Sequence, residues 1–78
     1  MTLVLVTRKG CHLCDQALEL LRVLGHEPEL ADVDADDGLH DLYDWRVPVV
    51  LVDGKVIAEG NIDRRALERG LKEAGLSP

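Results

Sequence analysis

Residues 3–15 read Leu3–Val4–Leu5–Val6–Thr7–Arg8–Lys9–Gly10–Cys11–His12–Leu13–Cys14–Asp15, and this stretch decides the architecture. Its first four side chains are apolar without alternation, which suits a central strand covered on both faces. Thr7–Arg8–Lys9–Gly10 breaks the run. From about Cys11 to Leu24 the apolar residues take up helical spacing. Leu13, Ala17, Leu20, Leu21 and Leu24 share one face, while Asp15, Glu19, Arg22 and His26 form a polar stripe. Gly25 followed by Pro28 stops the helix.

Two cysteines separated by two residues span about one helical turn, which brings their sulfurs within bonding reach when the first lies at the helix N-terminus. Unpaired backbone N–H groups and the helix dipole stabilise a thiolate there, and Arg8 and Lys9 stand immediately upstream. These effects are expected to lower the Cys11 pKa into the range of roughly 3.5–7.5. Cys14 falls one turn further on, on the side shared by Leu18 and Leu21, where it should be more buried and less ionised. That asymmetry makes Cys11 the attacking thiol and Cys14 the resolving one. His12 either tunes the thiolate or is an ordinary exposed histidine. Leu13 reads as packing or contact surface.

A Cys-x-x-Cys pair is also half of a zinc site, which needs two more ligands. The candidates are His12, His26 and His40; His12 is too close to both thiols to complete a tetrahedron easily, and His26 sits at the far end of the helix. No second pair of this kind follows, so no metal site is expected. A non-catalytic redox-sensing module, or one binding a metal or iron–sulfur cluster, remains the alternative to disulfide exchange.

Working outward, Glu29 to Asp34 reads as a second strand, parallel to the first because a helix joins them. Asp37 to Asp44 is a short helix anchored by Leu39, Leu42 and Tyr43. Pro48 opens a third strand, Val49–Val52, where its missing N–H does no damage. Asp53–Gly54 is a hairpin signal linking that strand to an antiparallel Lys55–Glu59. Asp63 can cap a last helix that carries Leu67, Gly70, Leu71 and Ala74 on one face and ends at Gly75. The order β-α-β-α-β-β-α predicts an α/β fold, a four-stranded mixed sheet flanked by helices.

A chain of 78 residues is expected to form one domain over 1–78. Phe is absent and Tyr43 and Trp45 are the only aromatics, so no stacking platform for single-stranded nucleic acid is visible. The formal net charge of −6 likewise argues against a nucleic-acid partner. Acid is concentrated at Asp32, Asp34, Asp36, Asp37, Asp41 and Asp44. This run reads as a solvated rim, with a docking surface for a basic partner or a loose cation site as its alternatives. No signal-peptide pattern or membrane-length apolar run is seen, so no membrane association is expected and the expected compartment is cytoplasmic. There, two cysteines read as redox or metal chemistry rather than a structural staple.

These residues resemble the glutaredoxin branch of the thioredoxin superfamily, and more narrowly the short bacterial glutaredoxin-like proteins with a Gly-Cys-His-Leu-Cys run. The resemblance rests on Arg8–Lys9–Gly10–Cys11–His12–Leu13–Cys14–Asp15 opening a helix after a strand, on Arg46–Val47–Pro48 starting another strand, and on Asp53–Gly54 in the hairpin. It covers essentially the whole chain. It implies a thioredoxin-like fold and a thiol–disulfide oxidoreductase with Cys11 as nucleophile and Cys14 as resolving thiol. Val47–Pro48 would take the place of the family's cis-proline loop, whose backbone pairs with the bound thiol substrate. Arg8 would supply a cation near the thiolate and a substrate carboxylate. The implied partners are a disulfide-containing protein or a low-molecular-weight thiol, with no tightly bound cofactor. Glutathione is a candidate co-substrate whose site is poorly matched. The family's Gly-Gly pair followed by Asp is replaced by Ala58–Glu59–Gly60–Asn61–Ile62–Asp63, and Asp63 is better explained as a helix cap.

Overall fold

The fold is taken from a computed structural model that describes residues 1–76. Strand β1 (Leu3–Thr7) is followed by helix α1 (His12–Val23), β2 (Glu29–Asp32), α2 (Asp37–Tyr43), β3 (Val49–Val52), β4 (Lys55–Glu59) and α3 (Arg64–Glu73). The four strands form one sheet in the order β2-β1-β3-β4. β1 runs parallel to β2, with Val4 opposite Glu29, and antiparallel to β3, with Val6 opposite Val49. β3 and β4 are antiparallel. The chain therefore has the mixed α/β architecture predicted from the element order.

Alternation along β1 and β3 sorts the core into two layers. Leu5 and Val50 point to one side, where they pack with Ala17 and Leu21 of α1, Leu24, and Leu67 and Leu71 of α3. Val6, Val49 and Leu51 point to the other side, toward Val33 and Tyr43. Each cluster is aliphatic apart from that tyrosine, as a chain without Phe requires. Asp36 caps α2 by accepting the Leu39 N–H at 3.0 Å, and Asp63 caps α3 by accepting the Ala66 N–H at 2.7 Å. The hairpin turns through Asp53 and Gly54, both at positive φ (51° and 81°), as a two-residue type I′ turn demands.

Three details differ from the sequence expectation. The buried stripe of α1 is Cys14, Ala17 and Leu21, whereas Leu13 is 40% exposed. It lies in the first turn of the helix, one residue before the first buried position, Cys14. In α2, Leu42 is 61% exposed and only Tyr43 is buried, because a seven-residue helix packed on one side can sink few positions. β2 ends at Asp32 rather than Asp34, although the Val33 N–H still donates to the Thr7 carbonyl at 2.9 Å.

One irregularity in β4 has a structural role. Val50 pairs with Ala58 and Leu51 with Val56, so Ile57 is an extra residue in the ladder. It faces the α3 layer, and a Cβ added at Gly70 would stand 2.7 Å from the Ile57 carbonyl oxygen. α3 reaches the sheet that closely only because position 70 has no side chain. No helix among the described residues is long and apolar enough to cross a membrane.

Candidate functional site

Gly10, at φ 77°, turns the chain from the end of β1 into α1, and the Cys11 N–H closes the turn on the Arg8 carbonyl at 3.1 Å. Cys11 is the N-cap of α1, with extended backbone angles, and its Sγ accepts the Cys14 N–H at 3.1 Å. The sulfur thus occupies the position usually held by a capping oxygen, facing a backbone donor at the positive end of the helix. Cys11 and Cys14 form a disulfide with their Cα atoms 5.2 Å apart. Cys11 is half-buried and Cys14 only 2% exposed, so one sulfur faces outward and the other lies beneath it. His12 and Leu13, between them, are exposed.

Val47–Pro48 reaches the same end of the sheet through register. Val6 at the end of β1 pairs with Val49 at the start of β3, placing Pro48 level with the β1–α1 turn. The Val47–Pro48 peptide is cis, Pro48 is buried, and its carbonyl accepts the Gly60 N–H at 2.9 Å. The segment leading into it is pinned by charge on both sides. Asp44 binds Arg8, while Arg46 binds Glu59 at 2.5 Å and places its guanidinium over the Tyr43 ring, 5.1 Å from the centroid. Between these anchors Trp45 is 92% exposed.

All three guanidinium nitrogens of Arg8 are engaged. Nε and Nη2 donate to the two Asp34 carboxylate oxygens at 2.9 Å each, Nη1 donates to the Asp44 carbonyl at 3.1 Å, and Nη2 also binds the Asp44 carboxylate. These hydrogen bonds, to Asp34 first and Asp44 second, raise the Arg8 pKa well above its ordinary value. In return Arg8 holds the Asp34 carboxyl below the usual carboxylate range. Glu59 raises Arg46 in the same way. His40 Nε2 stands 3.4 Å from the Asp44 carboxylate. Asp34, His40 and Asp44 bring three potential ligand atoms within 4.8 Å of one another, but Arg8 already supplies the positive charge between the two carboxylates.

An open groove of about 430 Å³ runs past Cys14, lined among others by Arg8, Lys9, Asp15, Leu18, Leu30 and Asp32. Cys11, Cys14, Arg8, Val47 and Pro48 are therefore brought to one end of the molecule. The carboxylate partners of Arg8, the Arg46–Glu59 pair and the projecting Trp45 had no signal in local spacing.

The model of the glutaredoxin-like domain family matches residues 2–72. A protein from X. campestris solved by X-ray crystallography is 32% identical, covering 92% of this chain and 97% of its own, with a TM-score of 0.81. Protein Ne2328 from Nitrosomonas europaea, solved by NMR, is 34% identical over 97% of this chain and 91% of its own, with a TM-score of 0.76. A crystallised thioredoxin-like protein is 28% identical over 90% of this chain and 100% of its own, with a TM-score of 0.71. No curated protein matches the sequence.

Proposed function

Since the chain belongs to the glutaredoxin-like domain family, we propose that it is a thiol–disulfide oxidoreductase acting through the Cys11–Cys14 pair. The observation that carries this reading is the placement of the two sulfurs. Cys11 Sγ caps α1 and accepts a backbone N–H, while its bonding partner Cys14 is buried one turn along.

In the reduced protein the Cys11 thiolate attacks one sulfur of a substrate disulfide. A mixed disulfide forms and the first substrate thiolate leaves. Cys14, in bonding reach of Cys11, gives up its proton to the departing thiolate or to solvent and displaces the second substrate thiol. Two electrons thus pass from the dithiol to the substrate, and the Cys11–Cys14 bond closes. The backbone N–H of residue 14 and the helix dipole favour the charged form of the attacking sulfur over the thiol.

Val47 offers its backbone to an extended substrate beside the dithiol. Arg8 holds α2 and the segment entering Pro48, because its donors are directed at Asp34 and Asp44. No resident cofactor enters the scheme. The partner is a disulfide-bearing protein or a small thiol, in the cytoplasm.

Cys11→Ser is expected to abolish reduction of insulin or of a small mixed disulfide, while Cys14→Ser accumulates a covalent substrate adduct visible by mass spectrometry. Full activity in the Cys11→Ser protein ends this reading.

A further inference from the structure

The charges around the dithiol have a pattern that the proposed exchange reaction does not use. A carboxylate-bearing thiol is gripped best by a guanidinium, which offers a planar pair of donors. Two arginines stand at this end of the sheet, and both already grip carboxylates of their own chain. Arg8 donates four hydrogen bonds to Asp34 and Asp44, and Arg46 donates its Nε–H to Glu59. Because Arg8 meets two carboxylates, its cluster is left with an excess negative charge. The groove past Cys14 adds Asp15 and Asp32 against Lys9, which makes no ion pair among the described residues. Around the dithiol, three cations (Arg8, Lys9, Arg46) therefore face five carboxylates (Asp15, Asp32, Asp34, Asp44, Glu59).

We infer that the site discriminates by charge, taking disulfides flanked by positive groups in preference to those bearing carboxylates, because internal carboxylates occupy the guanidiniums a substrate anion would need. The inference rests on the exchange activity proposed above and names the substrate class of that same site. The favoured substrate is a disulfide whose neighbours are amines or guanidiniums, as in a polypeptide with Lys or Arg beside its cystine. An anionic tripeptide thiol is disfavoured. The electrostatics act on the encounter step, while the sulfur chemistry is the same for every substrate.

The test uses the reduced full-length chain and three small disulfides that differ in charge: cystamine, hydroxyethyl disulfide and dithiodipropionate. Formation of the Cys11–Cys14 bond is followed by quenched alkylation and mass spectrometry. Each rate is divided by that of the same disulfide with dithiothreitol, which removes intrinsic reactivity. Cystamine is expected to exceed dithiodipropionate by about tenfold or more at low ionic strength, with the gap shrinking as salt screens the field. Glu59→Gln and, separately, Asp34→Asn release a guanidinium, and each lowers the ratio several-fold by speeding the anionic substrate. The Arg46–Glu59 pair is solvent-accessible on both sides, so the Glu59 variant keeps the question open should the Asp34 one fold poorly. A pair of cystine peptides flanked by lysines or by glutamates then asks whether a polypeptide shows the same preference as cystamine. Equal or reversed normalised rates overturn the inference, as does a ratio that neither variant moves. If none of the three disulfides oxidises the pair faster than it oxidises dithiothreitol, the proposed exchange activity fails, and the charge preference fails with it.

Discussion

Asp34 contributes through its charge, so its effect on stability must depend on pH. Its carboxyl is held below the ordinary value of 3.8, chiefly by the hydrogen bonds from Arg8. A carboxylate whose pKa is lower in the folded than in the unfolded chain stabilises the fold fully above the unfolded value. That contribution is lost as pH falls through the folded one. Asp34→Asn should therefore lower the melting temperature at neutral pH, and the gap to the parent protein should close in acid below the ordinary carboxylate value. Thermal melts by circular dichroism across pH check this; a gap that persists undiminished in strong acid assigns the effect to packing instead. The same residue marks the limit of what could be read at this scale. Cys11, Cys14 and Pro48 stood out because their meaning lies in neighbours a few positions away. Arg8 finds its partners 26 and 36 positions downstream, and nothing in local pattern selects Asp34 and Asp44 from a run of six similar aspartates.

Elements were legible where a period or a punctuating residue was present. β1, α1, β3 and the Asp53–Gly54 hairpin follow from apolar runs and turn chemistry, and the Asp63 cap stands where the sequence placed it. Leu42 departs from the sequence expectation because helical spacing shows which residues share a face but not how much of a short helix the sheet can cover. The extra residue in β4 was invisible, since a bulge is a property of the ladder and not of one strand's sequence. It leads to a prediction at this scale. On helix propensity alone, Gly70→Ala should stabilise α3 by up to about 1 kcal/mol. The Ile57 carbonyl leaves no room for the new methyl, so the substitution should instead destabilise by about 1–3 kcal/mol, as overpacking does. Urea titration decides: a raised midpoint means that α3 does not sit against the bulge as described.

At the scale of the whole molecule, two apolar clusters share the sheet that separates them, and β1 contributes Leu5 to one and Val6 to the other. This is why an apolar run without alternation could be read as a central strand. The core contains no tryptophan, since the only one in the sequence, Trp45, stands almost wholly in solvent between two charge-anchored neighbours. An indole already bathed in water gains little further hydration when the chain comes apart. Denaturation in urea should therefore leave the emission colour nearly unchanged while the helical dichroism collapses, and iodide should quench the native protein almost as well as the denatured one. A strongly blue emission from the folded protein would contradict the exposure of Trp45. Optical silence during folding makes the same fluorophore a reporter with little background for whatever comes to rest against the end of the molecule that carries the paired sulfurs.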